Sequence, residues 1–357
     1  ELLGAGPRVA GNDASERART YMEAQLRASG YVTRRDTFEY TRDADLGSSA
    51  TVGGRELPGK ALRDAVSGTV RAAVIRVPGV GRAEDYRGLS ARGKVVVVRR
   101  GEIPFQEKVR AAEAAGAVAV IVVNNAAGDV AGSLGTPSKV PALTVRTDAD
   151  AALRDGASVT VSVRNERRTI QGVNVVAFKA GTVKPTVLFG AHVDSVPGAP
   201  GANDNASGTA AVLEMARRAA NTPLGARSFF VLFDGEEDGL RGSRAFVEKY
   251  GDVARGLRAM LNFDMVGVNV MPLSVGGEDE LEALALRAAP SLKTMPNGGG
   301  SDHASFAAVG TPALFFHRGI DANYHQPGDT VVDFALVNEA VEAGLKVGEA
   351  VVASSER

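Results

Sequence analysis

The chain has 357 residues, which is enough for two domains or for one large domain that carries an insertion. It contains no Cys and no Trp, so disulfide frameworks, thiol nucleophiles and cysteine-based metal sites are excluded. Its 41 Lys and Arg against 42 Asp and Glu give a net charge of −1, which argues against nucleic acid as the main partner.

Histidine is scarce and confined to the second half of the chain. The four histidines are His192, His303, His317 and His325. Any metal or acid–base chemistry must therefore use these rings together with Asp and Glu side chains.

No apolar stretch approaches the roughly 18 residues that a membrane-spanning helix needs, so we expect no membrane span. The longest stretch, Ala117–Val123, is typical of a buried strand. Residue 1 is Glu rather than Met, so we expect that a signal peptide has been removed and that the protein is secreted or periplasmic.

In chain order, the first predicted element is an amphipathic helix over residues 13–29, capped by Asp13 or Ser15. A strand over residues 31–40 follows. Residues 49–165 then form a β-rich module that has no His and no dense carboxylate cluster, so we expect no chemistry in it. Its predicted strands are Gly68–Val77, Lys94–Arg99, Ala117–Val123, Ala142–Val145 and Ser158–Val163, around one helix, Phe105–Ala115.

From residue 166 onward, apolar strands alternate with helices. This pattern predicts an α/β fold with a mostly parallel central sheet flanked by helices, built from residues 1–48 and 166–357, into which residues 49–165 are inserted. The predicted strands are Thr186–Gly190, Ser228–Phe233, Ala259–Phe263 and Ala313–Phe316. The predicted helices are Ala206–Ala220, Gly242–Tyr250, Leu281–Ala289, Ser301–Val309 and Val337–Ala353.

Each of these four strands is followed by His or carboxylate residues. In chain order they are His192 and Asp194, then Asp234, Glu236 and Glu237, then Asp264, then His317 and His325, with Asp204 in the loop between the first strand and its helix. Open α/β sheets bind ligands beyond the carboxyl ends of their strands, so we expect these side chains to converge.

Imidazole and carboxylate groups without thiolate suit zinc, cobalt or manganese. Two imidazoles and three or more carboxylates are many ligands for one ion, but they suit two ions that share a carboxylate. Two divalent cations, three carboxylates and a bridging hydroxide also sum to zero charge, which eases burial of the cluster.

Six motifs, in order and at family-like spacing, resemble those of the M28 family of co-catalytic zinc aminopeptidases. They are His192-x-Asp194, Gly201-x-Asn203-Asp204-Asn205-x-Ser207-Gly208, Phe233-Asp234-Gly235-Glu236-Glu237, Asn262-x-Asp264-Met265, Ser301-Asp302-His303 and Tyr324-His325. The resemblance covers roughly residues 1–48 and 166–357. It implies the zinc peptidase fold, two Zn²⁺ per chain and peptide substrates with a free N-terminus.

The resemblance also assigns metal ligands residue by residue. It implies that His192 and Asp264 bind one zinc, that Glu237 and His325 bind the other, and that Asp204 bridges both.

The same resemblance implies three further catalytic roles. Glu236 would be the general base that takes a proton from the bridging water and passes it to the leaving amine. Asp194 would hold the His192 ring in its metal-binding tautomer. Tyr324 would donate a hydrogen bond to the tetrahedral oxyanion.

Other residues are expected beside the metals or in the substrate pocket. We place Asn205 and His303 there and expect a cis peptide bond between Asp204 and Asn205. Gly299 lies in a Gly-Gly-Gly segment that lacks the Lys-Ser/Thr of a P-loop, so we interpret it as an edge of the pocket. We expect His317 to be structural.

The inserted module resembles the protease-associated (PA) domain. The matching segments are residues 94–101, 104–108 and 112–125. The resemblance implies a non-catalytic domain beside the cleft.

The predicted enzyme is a metallo-aminopeptidase, a hydrolase that removes N-terminal amino acids by a two-zinc, bridging-hydroxide mechanism with a Glu general base. Three alternatives remain: a carboxypeptidase or a single-zinc glutaminyl cyclase on the same scaffold, or a non-catalytic, receptor-like relative. One metal ion per chain would favour the cyclase, and activity on substrates with a blocked amino terminus would favour the carboxypeptidase. The oligomeric state stays open.

Overall fold

The computed structural model describes residues 2–126, 128–295 and 300–355. The chain divides into two compact units, the first made of Glu1–Tyr40 and Ile170–Arg357 and the second of Thr41–Thr169. Within the described residues, no helix is both long enough and apolar enough to cross a bilayer.

The first half of the chain is mostly strands, and strands mostly alternate with helices from residue 187 onward. The strands are β1 (Val32–Asp45), β2 (Ser49–Val52), β3 (Arg55–Ala61), β4 (Gly68–Arg76), β5 (Val95–Arg99), β6 (Ala119–Val123), β7 (Ala142–Val145), β8 (Ser158–Val163), β9 (Asn165–Phe178), β10 (Val187–His192), β11 (Ser228–Phe233), β12 (Ala259–Phe263), β13 (Ser274–Gly277), β14 (Lys293–Thr294) and β15 (Ala313–His317). The helices are α1 (Asp13–Ala28), α2 (Phe105–Ala114), α3 (Gly208–Ala219), α4 (Pro223–Ala226), α5 (Arg241–Lys249), α6 (Gly251–Gly256), α7 (Asp279–Ala288), α8 (His303–Ala307) and α9 (Phe334–Ser354).

The first unit is built on an eight-stranded sheet in the order β1-β9-β11-β10-β12-β15-β13-β14. The central strands β11, β10, β12 and β15 are parallel to one another, whereas β9 pairs antiparallel with β11 and β13 pairs antiparallel with β15. These four parallel strands, in the spatial order β11-β10-β12-β15, bring their carboxyl ends to one edge of the sheet. The predicted α/β class with a mostly parallel sheet is confirmed.

Both faces of this sheet are covered by apolar side chains, as a buried parallel sheet requires. In β10, Val187, Phe189 and Ala191 pack in the core formed with α1, α3, α7 and α9, whereas Leu188 packs in the core formed with α5, α6 and α8. The alternation follows from the two-residue period of a strand. The helices therefore fix the sheet from both sides and leave its edge at the strand ends for polar residues.

The second unit is a closed barrel of β2-β3-β7-β6-β5-β4-β8. Its core includes the fully buried valines of β5 and β6, against which Val109 and Ala112 of α2 pack. The unit, Thr41–Thr169, encloses residues 49–165, for which a β-rich module is predicted. The division lies inside the continuous strands β1 and β9, where no turn residue marks a boundary in the sequence.

Some local predictions differ from the structure. The N-cap of α1 is Asn12, whose side chain accepts from the amide of Ser15, so the prediction of Asp13 or Ser15 as the cap is wrong. Strands β2, β3, β9, β13 and β14 were not predicted. The first half of β9 is polar and largely exposed, so its sequence lacks the apolar pattern of a buried strand.

Candidate metal centre

The predicted cluster forms at the carboxyl edge of the four central strands. His192 is the last residue of β10 and pairs with Phe233, the last residue of β11. Asp264 directly follows β12, and the segment after β15 leads to His325. Because these strands are adjacent and parallel, residues far apart in sequence meet in space.

Asp204 lies between the two imidazoles. Its Oδ1 is 3.2 Å from Nε2 of His192, and its Oδ2 is 3.2 Å from Nε2 of His325. On the first side, Oδ1 of Asp264 is 3.4 Å from the same His192 nitrogen. On the second side, Oε2 of Glu237 is 3.0 Å from the His325 nitrogen. One carboxylate thus separates two groups, each of one imidazole and one further carboxylate.

These donor atoms fit a metal better than they fit one another. Ligand atoms from His192, Asp204 and Glu237 all lie within 4.8 Å of one another. Among the described residues, Nε2 of His325, Oδ1 of Asp264 and Oε1 of Glu237 are buried without a hydrogen-bond partner. Buried polar atoms of this kind are costly unless something else binds them. Imidazole and carboxylate donors are those that zinc takes in proteins.

The protein charges around the cluster favour a cation. Burial raises the pKa of Glu237 to about 7, and the charges of Asp204 and Asp194 add to this shift. Burial would lower the pKa of His325, but the carboxylates of Asp204 and Glu237 raise it to about 10. Burial opposes the charge of Asp204 too, yet the imidazoles of His192 and His325 hold its pKa well below the ordinary range. The site thus concentrates negative charge that a bound cation would neutralise.

Asp194 orients the segment that carries both glutamates. Its two carboxylate oxygens accept from the backbone amides of Glu236 and Glu237, each at 3.1 Å. The Nδ1 atom of His192 is closer to the main-chain oxygen of Asp194, at 3.1 Å, than to its carboxylate, at 3.6 Å. The predicted contact with His192 therefore runs mainly through the Asp194 carbonyl, and the carboxylate fixes the β11 loop.

Glu236 is half-buried and directly precedes Glu237, one of the metal-ligand candidates. Burial raises its pKa well above the ordinary value, the charge of His192 opposes this, and Asp264 adds to it. A carboxylate with a raised pKa in a cleft is suited to receive a proton.

Tyr324 stacks on the ring of His325, with centroids 3.7 Å apart. Burial raises its pKa above the ordinary value, and the charges of Asp204 and Glu237 add to the shift. Its phenol therefore keeps its proton and remains a donor.

Asp264 is held by contacts on both its side chain and its backbone. Ser301 donates to its Oδ2 at 2.7 Å and in turn accepts from Asn262 at 2.8 Å. Nδ1 of His317 is 2.8 Å from its main-chain oxygen. Because Oδ2 is taken, Oδ1 is left to face His192.

The remaining predicted site residues have different surroundings. Asn205 is fully buried and donates to the carbonyl of Phe263 at 2.9 Å, and the Asp204–Asn205 peptide bond is cis, as expected. His303 is buried, and its ring stacks on Phe315 at 4.9 Å. Gly299 lies outside the described residues.

Three supporting residues were given no role from the sequence: Arg8, Asp329 and Ser301. Asp329 accepts from the amides of Asn203, at 2.7 Å, and Asp204, at 3.1 Å. These contacts join positions more than a hundred residues apart, so no local pattern reveals them. The one available signal was the polar tail after His325, within which Asp329 lies.

Comparison with known proteins identifies relatives that share this fold. The model of peptidase family M28 matches residues 174–340, and that of the PA domain matches residues 66–153. Probable lipoprotein aminopeptidase LpqL of Mycobacterium tuberculosis is 31% identical, over 91% of this chain and 76% of that relative. The solved aminopeptidase of Aneurinibacillus is 31% identical at a TM-score of 0.82, over 98% and 90% of the two chains. A solved zinc aminopeptidase of Bacillus subtilis is 26% identical at a TM-score of 0.83, over 97% and 91%.

The α/β fold and these relatives define the chain as an enzyme, a peptide hydrolase with an associated PA domain. It belongs to peptidase family M28, and the relatives that place it there are aminopeptidases. The predicted family, fold class and enzyme class are confirmed.

Proposed function

We propose that this chain is a zinc aminopeptidase that binds two Zn²⁺ and removes N-terminal amino acids from peptides. The position of Asp204 carries the proposal, because each of its oxygens lies 3.2 Å from a different imidazole. A single shared carboxylate flanked by two ligand pairs is the arrangement that two ions a few ångströms apart require. The names of the relatives support zinc and an N-terminal substrate.

In this proposal, His192 and Asp264 would hold one ion, Glu237 and His325 would hold the other, and Asp204 would serve both. Bound zinc would supply Lewis acidity toward the scissile carbonyl and would make a water more acidic. The chain's own contribution is to fix the ligands before binding, through Ser301 on Asp264 and through Asp194 on the loop of Glu237.

Glu236 is the general base of the proposed reaction. It takes a proton from the attacking water and passes it to the amine of the leaving group. Its neighbour Glu237 faces His325 instead. Asp194 accepts hydrogen bonds from the amides of both glutamates, which holds the two side chains in these different positions. Tyr324, kept protonated by its surroundings, donates to the oxygen on which negative charge develops.

The first test is the substitution Glu236→Gln, which keeps the shape of the side chain and removes its basicity. We expect kcat for a leucyl chromogenic substrate to fall roughly 10²- to 10⁴-fold, the usual contribution of general acid–base catalysis. Zinc content, measured by elemental analysis, should stay at two ions per chain. The matched control Glu280→Gln changes an exposed residue of α7 and should leave kcat unchanged. Near-normal turnover in Glu236→Gln would refute the base assignment.

The second test concerns the metal count and the free amine. We expect two zinc ions in the wild type and at most one in Asp204→Asn. One ion in the wild type would contradict the shared-carboxylate arrangement. We also expect N-acetylation of the substrate to abolish hydrolysis, whereas hydrolysis of the acetylated peptide from its carboxyl end would contradict the N-terminal specificity.

We also propose that residues 49–165 are a non-catalytic PA domain inserted into the peptidase domain of residues 1–48 and 166–357, and that the enzyme acts outside the cytoplasm. The match of the PA model supports the first point, and a relative described as a lipoprotein aminopeptidase supports the second. Fractionation of the native cells tests the location: the enzyme should be recovered outside the cytoplasmic fraction.

A further inference from the structure

One buried cation lies beside the metal-ligand loop without being a ligand. Arg8 belongs to the segment that precedes α1, and it is only 1% exposed. Its guanidinium donates to three main-chain carbonyls: Nε to Val193 at 2.8 Å, Nη1 to Pro200 at 2.7 Å and Nη2 to Gly201 at 2.8 Å. All three acceptors lie in the segment that connects His192 to Asp204. The planar fork of Arg is suited to fixing several carbonyls at once.

The backbone of Arg8 adds a second attachment to the same segment. Its amide donates to Oγ of Ser195 at 3.0 Å, and the amide of Ser195 donates to the carbonyl of Arg8 at 3.4 Å. Oγ of Ser195 donates to the carbonyl of Ala199 at 3.0 Å, which closes the loop. The chain between the two metal-ligand candidates is therefore held at both its beginning and its end.

Gly201 transmits this attachment to Asp204. It adopts φ +67°, and a Cβ there would lie 2.4 Å from the main-chain oxygen of Asp204 and 3.0 Å from Nη2 of Arg8. The Gly201 carbonyl that Arg8 binds also accepts from the amide of Ala206, at 3.0 Å. Any shift of Gly201 must therefore displace the turn that carries Asp204.

Arg8 affects metal affinity in two opposed ways: its positive charge weakens the binding of a cation, whereas its hydrogen bonds to the ligand loop strengthen it. Burial lowers the pKa of Arg8, while Asp194, Asp329 and Asp204 counteract that shift, so a positive charge is held near the carboxylates. A fixed cation near a metal site repels the incoming metal ion, whereas a correctly placed ligand loop favours it. Removal of Arg8 should therefore raise metal affinity if charge repulsion dominates, and lower it if placement of the ligand loop dominates.

We infer that Arg8 is a positioning residue for Asp204: it sets the segment 193–201 so that both oxygens of Asp204 face their imidazoles, and the gain in preorganisation exceeds the repulsion of the metal ions. The inference rests on the proposed metal-binding function. It assigns to the segment before α1 a direct part in building the site.

The test compares Arg8→Met, which removes charge and fork, with Arg8→Lys, which keeps the charge alone. Metal-free protein is titrated with Zn²⁺ by calorimetry, and the Co²⁺-loaded forms are compared by their visible spectra. We expect the zinc Kd to rise roughly 10- to 100-fold in Arg8→Met, as is typical when a residue that orients a ligand is lost. Arg8→Lys should be intermediate, and the Co²⁺ bands should shift in both variants.

The matched control is Lys108→Met in the second unit. Lys108 is also a fully buried cation that donates to two main-chain carbonyls, those of Val80 and Gly101. The Lys108→Met variant should lose stability without any change in its zinc Kd or in its Co²⁺ spectrum. A Kd that is unchanged or lower in Arg8→Met, or a wild-type Kd in Arg8→Lys, would overturn the inference, since charge rather than position would then dominate.

A metal-independent measurement separates this inference from the proposed function. Amide hydrogen exchange of residues 202–206 is followed in the metal-free wild type and variants. We expect exchange of these amides to accelerate roughly tenfold or more in Arg8→Met, since the variant loses the charge-assisted hydrogen bonds that hold the preceding segment. Failure of the wild type to bind zinc would refute the proposed function alone. Unchanged exchange in Arg8→Met would refute the positioning role alone.

Discussion

At the scale of single residues, the metal-ligand candidates and their supports differ in how readily a sequence reveals them. His192, Asp264 and Glu237 each follow an apolar strand within a few positions, so the edge of a parallel sheet predicts that they meet. Arg8 and Asp329 act through main-chain contacts with Gly201 and Asp204, at separations of 193 and 125 residues. Such contacts carry no local pattern, because any Arg or Asp of the chain could make them.

Asp329→Asn should weaken the loop that presents Asp204. The carboxylate accepts from two amides, and Asn would turn an NH₂ group toward one of them. An unsatisfied buried amide costs about 1–3 kcal/mol, so we expect the free energy of unfolding, measured in urea, to fall by about that amount. Zinc affinity should fall with it, because the same amides fix the turn of Asp204.

Asp333→Asn is the control for that substitution. Asp333 is exposed and caps α9 by accepting from the amide of Ala335. Asn caps a helix about as well as Asp, so we expect almost no change in the free energy of unfolding. Equal losses in Asp329→Asn and Asp333→Asn would show that the buried amides of the loop are not the cause.

At the scale of elements, the strands that build the site were predictable, whereas several short or exposed strands elsewhere were not. Strands β10, β11 and β12 are wholly buried, so their apolar runs stand out in the sequence. Strand β13 is four residues long, SVGG, and β9 begins with exposed polar residues. A strand that is short or exposed has no such pattern, and its pairing partner determines it instead.

Gly208→Ala should disturb the contact between α3 and β12. A Cβ at Gly208, the first residue of α3, would lie 2.1 Å from the carbonyl oxygen of Phe263 and 2.4 Å from Oδ1 of Asn205. Since Phe263 directly precedes Asp264, the helix must move away from the metal-ligand edge. We expect a loss of about 1–3 kcal/mol in the free energy of unfolding, as overpacked cores show, and a reduced kcat.

The control is Gly256→Ala at the end of α6, where a Cβ meets no heavy atom within 4 Å. Since Ala is favoured over Gly in a helix, this variant should keep or slightly increase stability, with kcat unchanged. If Gly208→Ala unfolds at the same urea concentration as the wild type, the close approach of α3 to β12 is not required.

At the scale of the whole molecule, the two units have separate apolar cores: the α/β sheet has one on each face, and the barrel has its own. All residues of the candidate metal centre belong to the first unit. A ligand that binds only the folded state stabilises the unit that binds it, by RT ln(1 + [L]/Kd). Metal binding should therefore act on one unit and leave the other unaffected.

Removal of zinc should lower the thermal stability of the first unit alone. At a zinc concentration of about 1,000 times Kd, one site contributes about 4 kcal/mol, which corresponds to a Tm shift of about 8–16 °C for a unit of this size. Differential scanning calorimetry with and without EDTA measures the shift, and Asp204→Asn, which should lose at least one of the two ions, should show a smaller shift than the wild type. A transition that stays in place after EDTA belongs to the barrel. Equal shifts of both transitions, or none, would contradict confinement of the metal ions to the α/β unit, because only the unit that holds the ligands gains free energy from them.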